Sequence, residues 1–231
     1  MFRNRQQAGM ALARQVTAGL AEGGEIDANQ VVVLALPRGG VPVAFEIAQL
    51  GRYPLDVLVS KKVGAPGQPE LAIGAVTSDG VTVINDKMTI YLGISDAYVE
   101  TQKQLLMRRT TASEQHWRRA AAMKGPIPLA GKQVVVVDDG IATGMTAIAA
   151  VRSVRQRQPN RVIVATPVMS CSAYALLAEE CDRIFALTVP FDFAAIGQFY
   201  EDFHQVTDEE VVSALRAAHN RDTIATDMAI S

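Results

Sequence analysis

The run Val134-Val-Val-Val-Asp-Asp-Gly-Ile-Ala-Thr-Gly-Met-Thr146 joins a fully apolar stretch to two carboxylates and then to glycines and threonines. An apolar strand that opens into such a loop leaves free backbone N–H groups at the start of the following helix, and these can surround a phosphate. Gly140 and Gly144 permit a close wrap, and Thr143 and Thr146 add hydroxyl donors. Such a loop holds an anion without a lysine. Asp138 and Asp139 then face cations or hydroxyls, and the vicinal hydroxyls of a ribose are a natural partner for paired carboxylate acceptors. The combination is equipment for a phosphorylated sugar. The plainer alternative is that the aspartates end a strand and the threonines cap a helix.

Two neighbouring motifs are excluded by residue type. A Walker A loop needs Gly-Lys-Thr or Gly-Lys-Ser, and this loop has Gly144-Met145-Thr146. A dinucleotide fingerprint needs three glycines with the ribose-binding acid well downstream, whereas here the acids precede the loop.

Two more loops follow apolar runs and carry unusual residues. Pro37-Arg38-Gly39-Gly40 would hold Arg38 near a ligand while its glycines bring backbone donors to pyrophosphate oxygens. Ser60-Lys61-Lys62 emerges from Leu55–Val59; side chains of adjacent strand residues diverge, so at most one lysine reaches a leaving diphosphate directly. Either lysine can equally be solvated. Arg108 and Arg109 are candidates to close over a ligand, and Glu70 is a candidate polar contact or a solvated loop residue. His116 and Trp117 read as surface and packing residues of a helix, and His204 and His219 have no catalytic partner by spacing.

The elements that must position these loops follow from the apolar pattern. Helical spacing spans 5–22, a β-branched strand 31–36, a short helix 41–50 and a strand 55–59. Gly64, Pro66, Gly67 and Pro69 then predict a loop, 71–77 and 81–84 a hairpin, and 96–121 a long polar helix covering one end of the fold. The core pattern resumes with strand 134–137, helix 143–156, strand 161–166, helix 172–180 and strand 183–189, followed by an irregular aromatic segment to 203 and a helix from 208 to about 219. Alternation at these lengths predicts an α/β, Rossmann-like, mostly parallel sheet with helices on both faces. The organisation expected is one domain over 1–231, with an inserted hood at 63–124 and a C-terminal extension at 190–231.

At 231 residues and 49% hydrophobic, the chain can bury one substantial core. A net charge of -2 and a pI near 5.9 argue against a broadly basic nucleic-acid surface. Cys171 and Cys181 lack the number and spacing of a disulfide or metal framework and read as buried or partly buried thiols. Without a signal-like start or an apolar run of about 18 residues, a cytoplasmic protein with no membrane partner is expected.

On these residues the chain resembles the type I phosphoribosyltransferases, whose signature the run from Val134 to Thr146 matches closely. The resemblance implies that Asp138 and Asp139 contact the ribose hydroxyls of phosphoribosyl pyrophosphate (PRPP) and attract the Mg²⁺ that travels with it. It implies that Gly140, Ile141, Ala142, Thr143, Gly144, Met145 and Thr146 hold the 5′-phosphate. Arg38, Gly39 and Gly40 correspond to the family's pyrophosphate loop, which often holds a non-proline cis or strained peptide, and Lys61 to a basic residue beside the pyrophosphate. The likeness to the family core covers 31–62 and 131–190. More narrowly, Leu36-Pro-Arg-Gly-Gly-Val-Pro-Val43, Lys62-Val-Gly-Ala-Pro-Gly67, Glu70-Leu-Ala-Ile-Gly-Ala75 and Tyr200-Glu-Asp-Phe203 are similar to a group of bacterial predicted phosphoribosyltransferases of unassigned acceptor. Met145 departs from the usual small residue.

The implied activity is transfer of ribose 5-phosphate from PRPP to a nitrogenous acceptor such as a nucleobase, with Arg38, Lys61, Asp138 and Asp139 as catalytic residues. The hood would exclude water. The acceptor would lie between the hood and the segments 190–193 and 199–203, where rings either stack on a base or merely pack, and where Tyr200 or Asp202 adds polarity. The alternatives are a non-catalytic PRPP or nucleotide sensor and, third, an assembly or nucleic-acid-regulatory role. A homodimer is compatible with the exposed hood.

Overall fold

The computed structural model describes residues 1–24 and 27–229, with side chains to residue 220. Two sheets organise the chain. The larger is parallel throughout, with strands β1 (Val31–Ala35), β2 (Leu55–Val57), β6 (Gln133–Val137), β7 (Arg161–Val168) and β8 (Arg183–Thr188) in the order β2-β1-β6-β7-β8. Its connecting helices are α1 (Arg5–Leu20), α2 (Gly40–Gly51), α5 (Met145–Gln156), α6 (Cys171–Ala178) and α7 (Asp208–Ala229).

Strand periodicity divides the core. Val31, Val33, Ala35, Val135, Val137, Ile163 and Ala165 pack with α1, α2 and α7 on one face, while Val32, Leu34, Val134, Val136, Val162 and Val164 pack with α5 and α6 on the other. Both faces are covered, which is why these strands read as continuous apolar runs rather than as alternation. No helix among the described residues is long and apolar enough to cross a membrane.

The second sheet, order β3-β4-β5, is antiparallel: β3 (Ser60–Ala65), β4 (Gln68–Thr77) and β5 (Thr82–Ile84). It corrects two expectations. Ser60, Lys61 and Lys62 are the first residues of β3 rather than a loop at the end of a core strand. Gly64 to Pro69, expected as a loop, contributes to both arms of a hairpin that turns at Pro66-Gly67 and absorbs its irregularity as register shifts around Gly64. The β4–β5 hairpin lies where the pattern predicts it, and is followed by an unanticipated short helix α3 (Asp86–Tyr91).

The long helix α4 (Asp96–Ala120) is bolted down by a buried ion cluster. Arg118 donates to Asp56 at 2.8 Å, to Glu114 at 2.8 Å and to the Val57 carbonyl at 2.6 Å. Glu114 also accepts from the Val59 N–H at 2.7 Å and the Ser78 hydroxyl at 2.5 Å, so helix, core strand and hairpin meet at one residue. Burial opposes the Arg118 charge, yet Asp56 and Glu114 raise its pKa above the ordinary value. A second cluster ties the far end of the hairpin to α5, because Asp79 accepts from Ser153 at 2.6 Å and from Arg157 at 2.8 Å.

Replacing Arg118 by Met leaves Asp56 (1% exposed) and Glu114 (6% exposed) buried without their counter-charge. Arg118→Met is expected to lower unfolding free energy by about 3–5 kcal/mol, read from urea denaturation. A loss below about 1 kcal/mol, the level of a surface pair, would show the cluster to be incidental.

Candidate active site

In the strand order β2-β1-β6-β7-β8, β1 connects outward to β2 while β6 connects the other way to β7. The crevice beyond the carboxyl ends of β1 and β6 is therefore the topological switch point, where open parallel sheets take their ligands. The loop after β1 carries Pro37 to Gly39, and the loop after β6 carries Asp138 to Gly144.

The β6–α5 loop is fixed in its middle and free at its end. The Ile141 N–H donates to Val168 O at 2.9 Å, Ser170 N returns a bond to Ile141 O at 2.9 Å, and the Ser170 hydroxyl holds Ala142 O at 2.5 Å. Ile141 itself is buried in the α5-side core. It therefore anchors the loop, and its N–H is already taken by Val168. The N–H groups of Gly140, Ala142, Thr143, Gly144, Met145 and Thr146 have no acceptor among the described residues.

Gly144 adopts a left-handed conformation (φ 78°), which turns the chain into α5, whose first residue is Met145 rather than Thr143 as the pattern suggests. Thr143 is exposed and Thr146 half-buried. Unbonded donors at the start of a helix make an anion site. Met145 packs partly against the core, so it does not displace those donors.

The acidic pair is asymmetric. Asp139 is 7% exposed; its Oδ2 accepts from Arg5 Nε at 2.7 Å, and its carbonyl accepts from the Tyr200 hydroxyl at 2.6 Å. Asp138 is half-buried, and one of its oxygens accepts from the Asp139 N–H at 2.9 Å. Apart from Asp139, no group among the described residues bonds the Asp138 carboxylate. Burial, and then the neighbouring Asp139 charge, hold the Asp138 pKa well above the usual carboxylate range, with Arg5 pulling the other way.

The two loops touch. A Cβ on Gly39 would stand 2.1 Å from Asp139 Oδ2, and one on Gly40 would stand 2.5 Å from Val137 O. These glycines are required first by the neighbouring loop, and closeness to a ligand is a consequence. A Cβ on Gly140 would meet Ile196 Cγ2 at 2.3 Å, so the segment after β8 also presses on the acid loop. The Pro37–Arg38 peptide is cis, the feature that the resemblance implied for this turn.

Arg38 leaves the turn toward α7, where its guanidinium stands 3.5 Å from Asp208 in a partly exposed pair. Such a pair is worth about 0–1 kcal/mol, so a stronger anion can take the arginine. Lys61 and Lys62 are both exposed. Lys62 pairs with Ala75, which belongs to the α5-side core, whereas Lys61 alternates to the face of Val63, under α4. Of the two, Lys62 shares the side of the sheet that faces α5.

Other expected contacts fall elsewhere. Tyr200 is buried and stacks on Phe203 with centroids 5.0 Å apart, and the half-buried Phe193 and Phe199 pack against each other. Among the aromatic residues of the segment, Phe191 is 98% exposed. Glu70, Arg108, Arg109 and His116 are exposed, Trp117 is buried, and Cys171 is exposed rather than buried as expected. His204, for which spacing shows no catalytic partner, bonds Asp202 at 3.0 Å and Glu210 at 3.3 Å, which raise its pKa. The chief omission of the sequence reading is Arg5, whose position in an otherwise helix-forming stretch gives no sign of a partner across the fold.

Gly39→Ala is expected to force the loops apart and cost on the order of 1–3 kcal/mol of stability in thermal or urea unfolding. Gly125→Ala, where a Cβ meets nothing within 4 Å, should change stability by no more than about 0.5 kcal/mol. Equal effects would mean that the loop contact is not tight.

Comparison with known proteins gives a consistent result. A family model described as a phosphoribosyl transferase domain matches residues 4–204. A Mycobacterium tuberculosis (strain H37Rv) protein whose name assigns it provisionally to the phosphoribosyl transferases is 41% identical over 221 residues, 95% of this chain and 47% of that protein. The chain thus spans about half the length of the curated relatives it matches. The crystal structure of TT1426 from Thermus thermophilus is 40% identical, with a TM-score of 0.75 over 94% of this chain and 98% of that one. The AQ2163 protein of Aquifex aeolicus, at 14% identity and a TM-score of 0.51 over 80% of this chain and 74% of that one, shares the fold.

Proposed function

The chain belongs to the phosphoribosyl transferase family, and on that premise we propose that it transfers ribose 5-phosphate from PRPP to a nitrogenous acceptor of the nucleobase class, releasing pyrophosphate. One observation carries the reading. The unbonded N–H groups from Ala142 to Thr146 lie at the start of α5, at the other end of the loop that begins with Asp138, and that loop presses against the Pro37–Gly40 turn. A ligand with a terminal phosphate, a diol and a second anionic group matches that order of donors and acceptors.

The roles follow from chemistry. The loop N–H groups and Thr146 receive the 5′-phosphate, and Asp138 accepts from a ribose hydroxyl. Arg38, released from Asp208, joins the turn at the diphosphate, with Lys61 or Lys62 supplying charge from β3. The C1–O bond breaks with its electron pair leaving on pyrophosphate, the acceptor nitrogen's lone pair forms the C1–N bond, and that nitrogen loses a proton. Positive charge grows on the sugar and negative charge on the leaving group, so donors fixed before reaction stabilise the separation best.

Mg²⁺ fits as cargo of the ligand. Among the described residues no cluster of three or more His, Cys, Asp or Glu could cage it. Asp138 supplies a hard oxygen of the kind that joins substrate phosphates and water around this ion. When bound, the metal offsets leaving-group charge.

Incubation with PRPP, Mg²⁺ and a panel of nucleobases should release pyrophosphate and form a nucleoside monophosphate, followed by chromatography. PRPP binding without turnover across the panel would favour a sensor. PRPP affinity should fall as pH drops through the raised pKa of Asp138, because only the ionised carboxylate accepts from the diol. Calorimetry over a pH series, with Asp138→Asn as the control for titration of the ligand, reads the midpoint. A midpoint at or below the ordinary aspartate value of about 3.9 would remove Asp138 from that role.

A further inference from the structure

We propose that Arg5 is a positioning residue for this reaction, holding Asp139 as a brace between the two ligand loops so that Asp138 alone is offered to the ribose. The inference rests on the phosphoribosyl transfer reading above.

Arg5 lies in the first turn of α1, 134 positions before the acid it grips. Its Nε donates to Asp139 Oδ2 at 2.7 Å, a second nitrogen donates to His204 O at 2.7 Å, and its guanidinium lies 3.9 Å from the centroid of Phe203. The same C-terminal segment supplies Tyr200, whose hydroxyl holds the Asp139 carbonyl at 2.6 Å. That segment is in turn tied to the N-terminus, through Phe2 N to Phe199 O, Glu201 N to Phe2 O and Asp202 N to Arg3 O, each at 2.8 Å. Carboxylate and carbonyl of one residue are thus clamped from two ends of the chain.

Gly39 closes on the same oxygen that Arg5 grips, since a Cβ there would come within 2.1 Å of Asp139 Oδ2. Turning this carboxylate toward a ribose would leave Arg5 buried and uncompensated, which a protein interior resists. Asp138 has no such clamp. The division of the pair into brace and acceptor follows from that difference. A planar guanidinium that bonds in two directions and stacks on a ring suits the position, and an ammonium group replaces only part of it.

The charged and titratable groups facing the pair are Arg5 from α1 and Tyr200 from the segment after β8, together with the two acids themselves.

The test uses the full chain as wild type, Arg5→Lys, Arg5→Met, Asp139→Asn and the Arg5→Met/Asp139→Asn double variant. Circular dichroism checks the fold, calorimetry the affinity for PRPP with Mg²⁺ over a pH series, and pyrophosphate release the kinetics. Arg5→Met should weaken PRPP binding about 10- to 100-fold, as expected for a misplaced binding group, with Arg5→Lys restoring part of that affinity. In the Asp139→Asn background, adding Arg5→Met should change affinity by less than about twofold, since the two act as one unit. Should Arg5→Met fail to fold, the double variant, which removes both charges, and Arg5→Lys carry the same comparison.

Wild-type affinity for PRPP in folded Arg5 variants, or independent multiplication of the two effects in the double variant, would overturn this inference alone. Absence of PRPP binding by the unsubstituted protein would overturn the proposed function and this inference with it.

Discussion

Two loops from neighbouring strands can share one crevice only if neither places a side chain where the other must pass. Here that constraint is met by Gly39 and Gly40 against Asp139 and the Val137 carbonyl, and by Gly140 against Ile196. Everything proposed for the site depends on this contact. It brings a turn suited to diphosphate and a helix start suited to phosphate within the span of one small ligand. It also places Gly39 and Arg5 against the same carboxylate oxygen of Asp139, while Asp138 has no such contacts.

The hood is governed by a different interaction. Asp56, Glu114 and Arg118 form a buried cluster that joins α4 to the core strand beneath it, and Asp79 links the hairpin to α5. A removable cover would not be expected to carry buried charges at its root, since separating them exposes each to the cost of losing its partner. The root of α4 and the far end of the hairpin are therefore fixed to the core. The exposed run Pro66 to Glu70 at the tip of the β3–β4 hairpin carries no such anchor among the described residues.

The main sheet was legible because burial on both faces leaves a local trace. Val31 to Leu36 and Val134 to Val137 are uniform apolar runs, and the helices between them have lengths and end signals that depend on near neighbours. The acid and phosphate loop was legible for the same reason: Asp138 to Thr146 is contiguous, so its chemistry and its geometry are written in one stretch. The insert was harder. Gly64, Pro66, Gly67 and Pro69 carry strong turn signals, yet their strands pair with register shifts that absorb the irregularity. The aromatic segment from Phe191 to Phe203 showed its ring content but not its purpose, since packing and stacking on a ligand use the same residues.

Local order thus determined the strand and helix alternation, the acidic pair, the Gly/Thr loop and the Pro37–Gly40 turn, because each depends on residues close in the chain. The tertiary structure alone decided which acid is held and which is left free, which lysine of the adjacent pair shares the α5 side, and that the Tyr200 hydroxyl is taken up by the Asp139 carbonyl. Those outcomes depend on Arg5, Ala75 and Phe2, far away in sequence. Hydrogen bonds and close packing select partners by distance in space, and one-dimensional spacing does not record that distance.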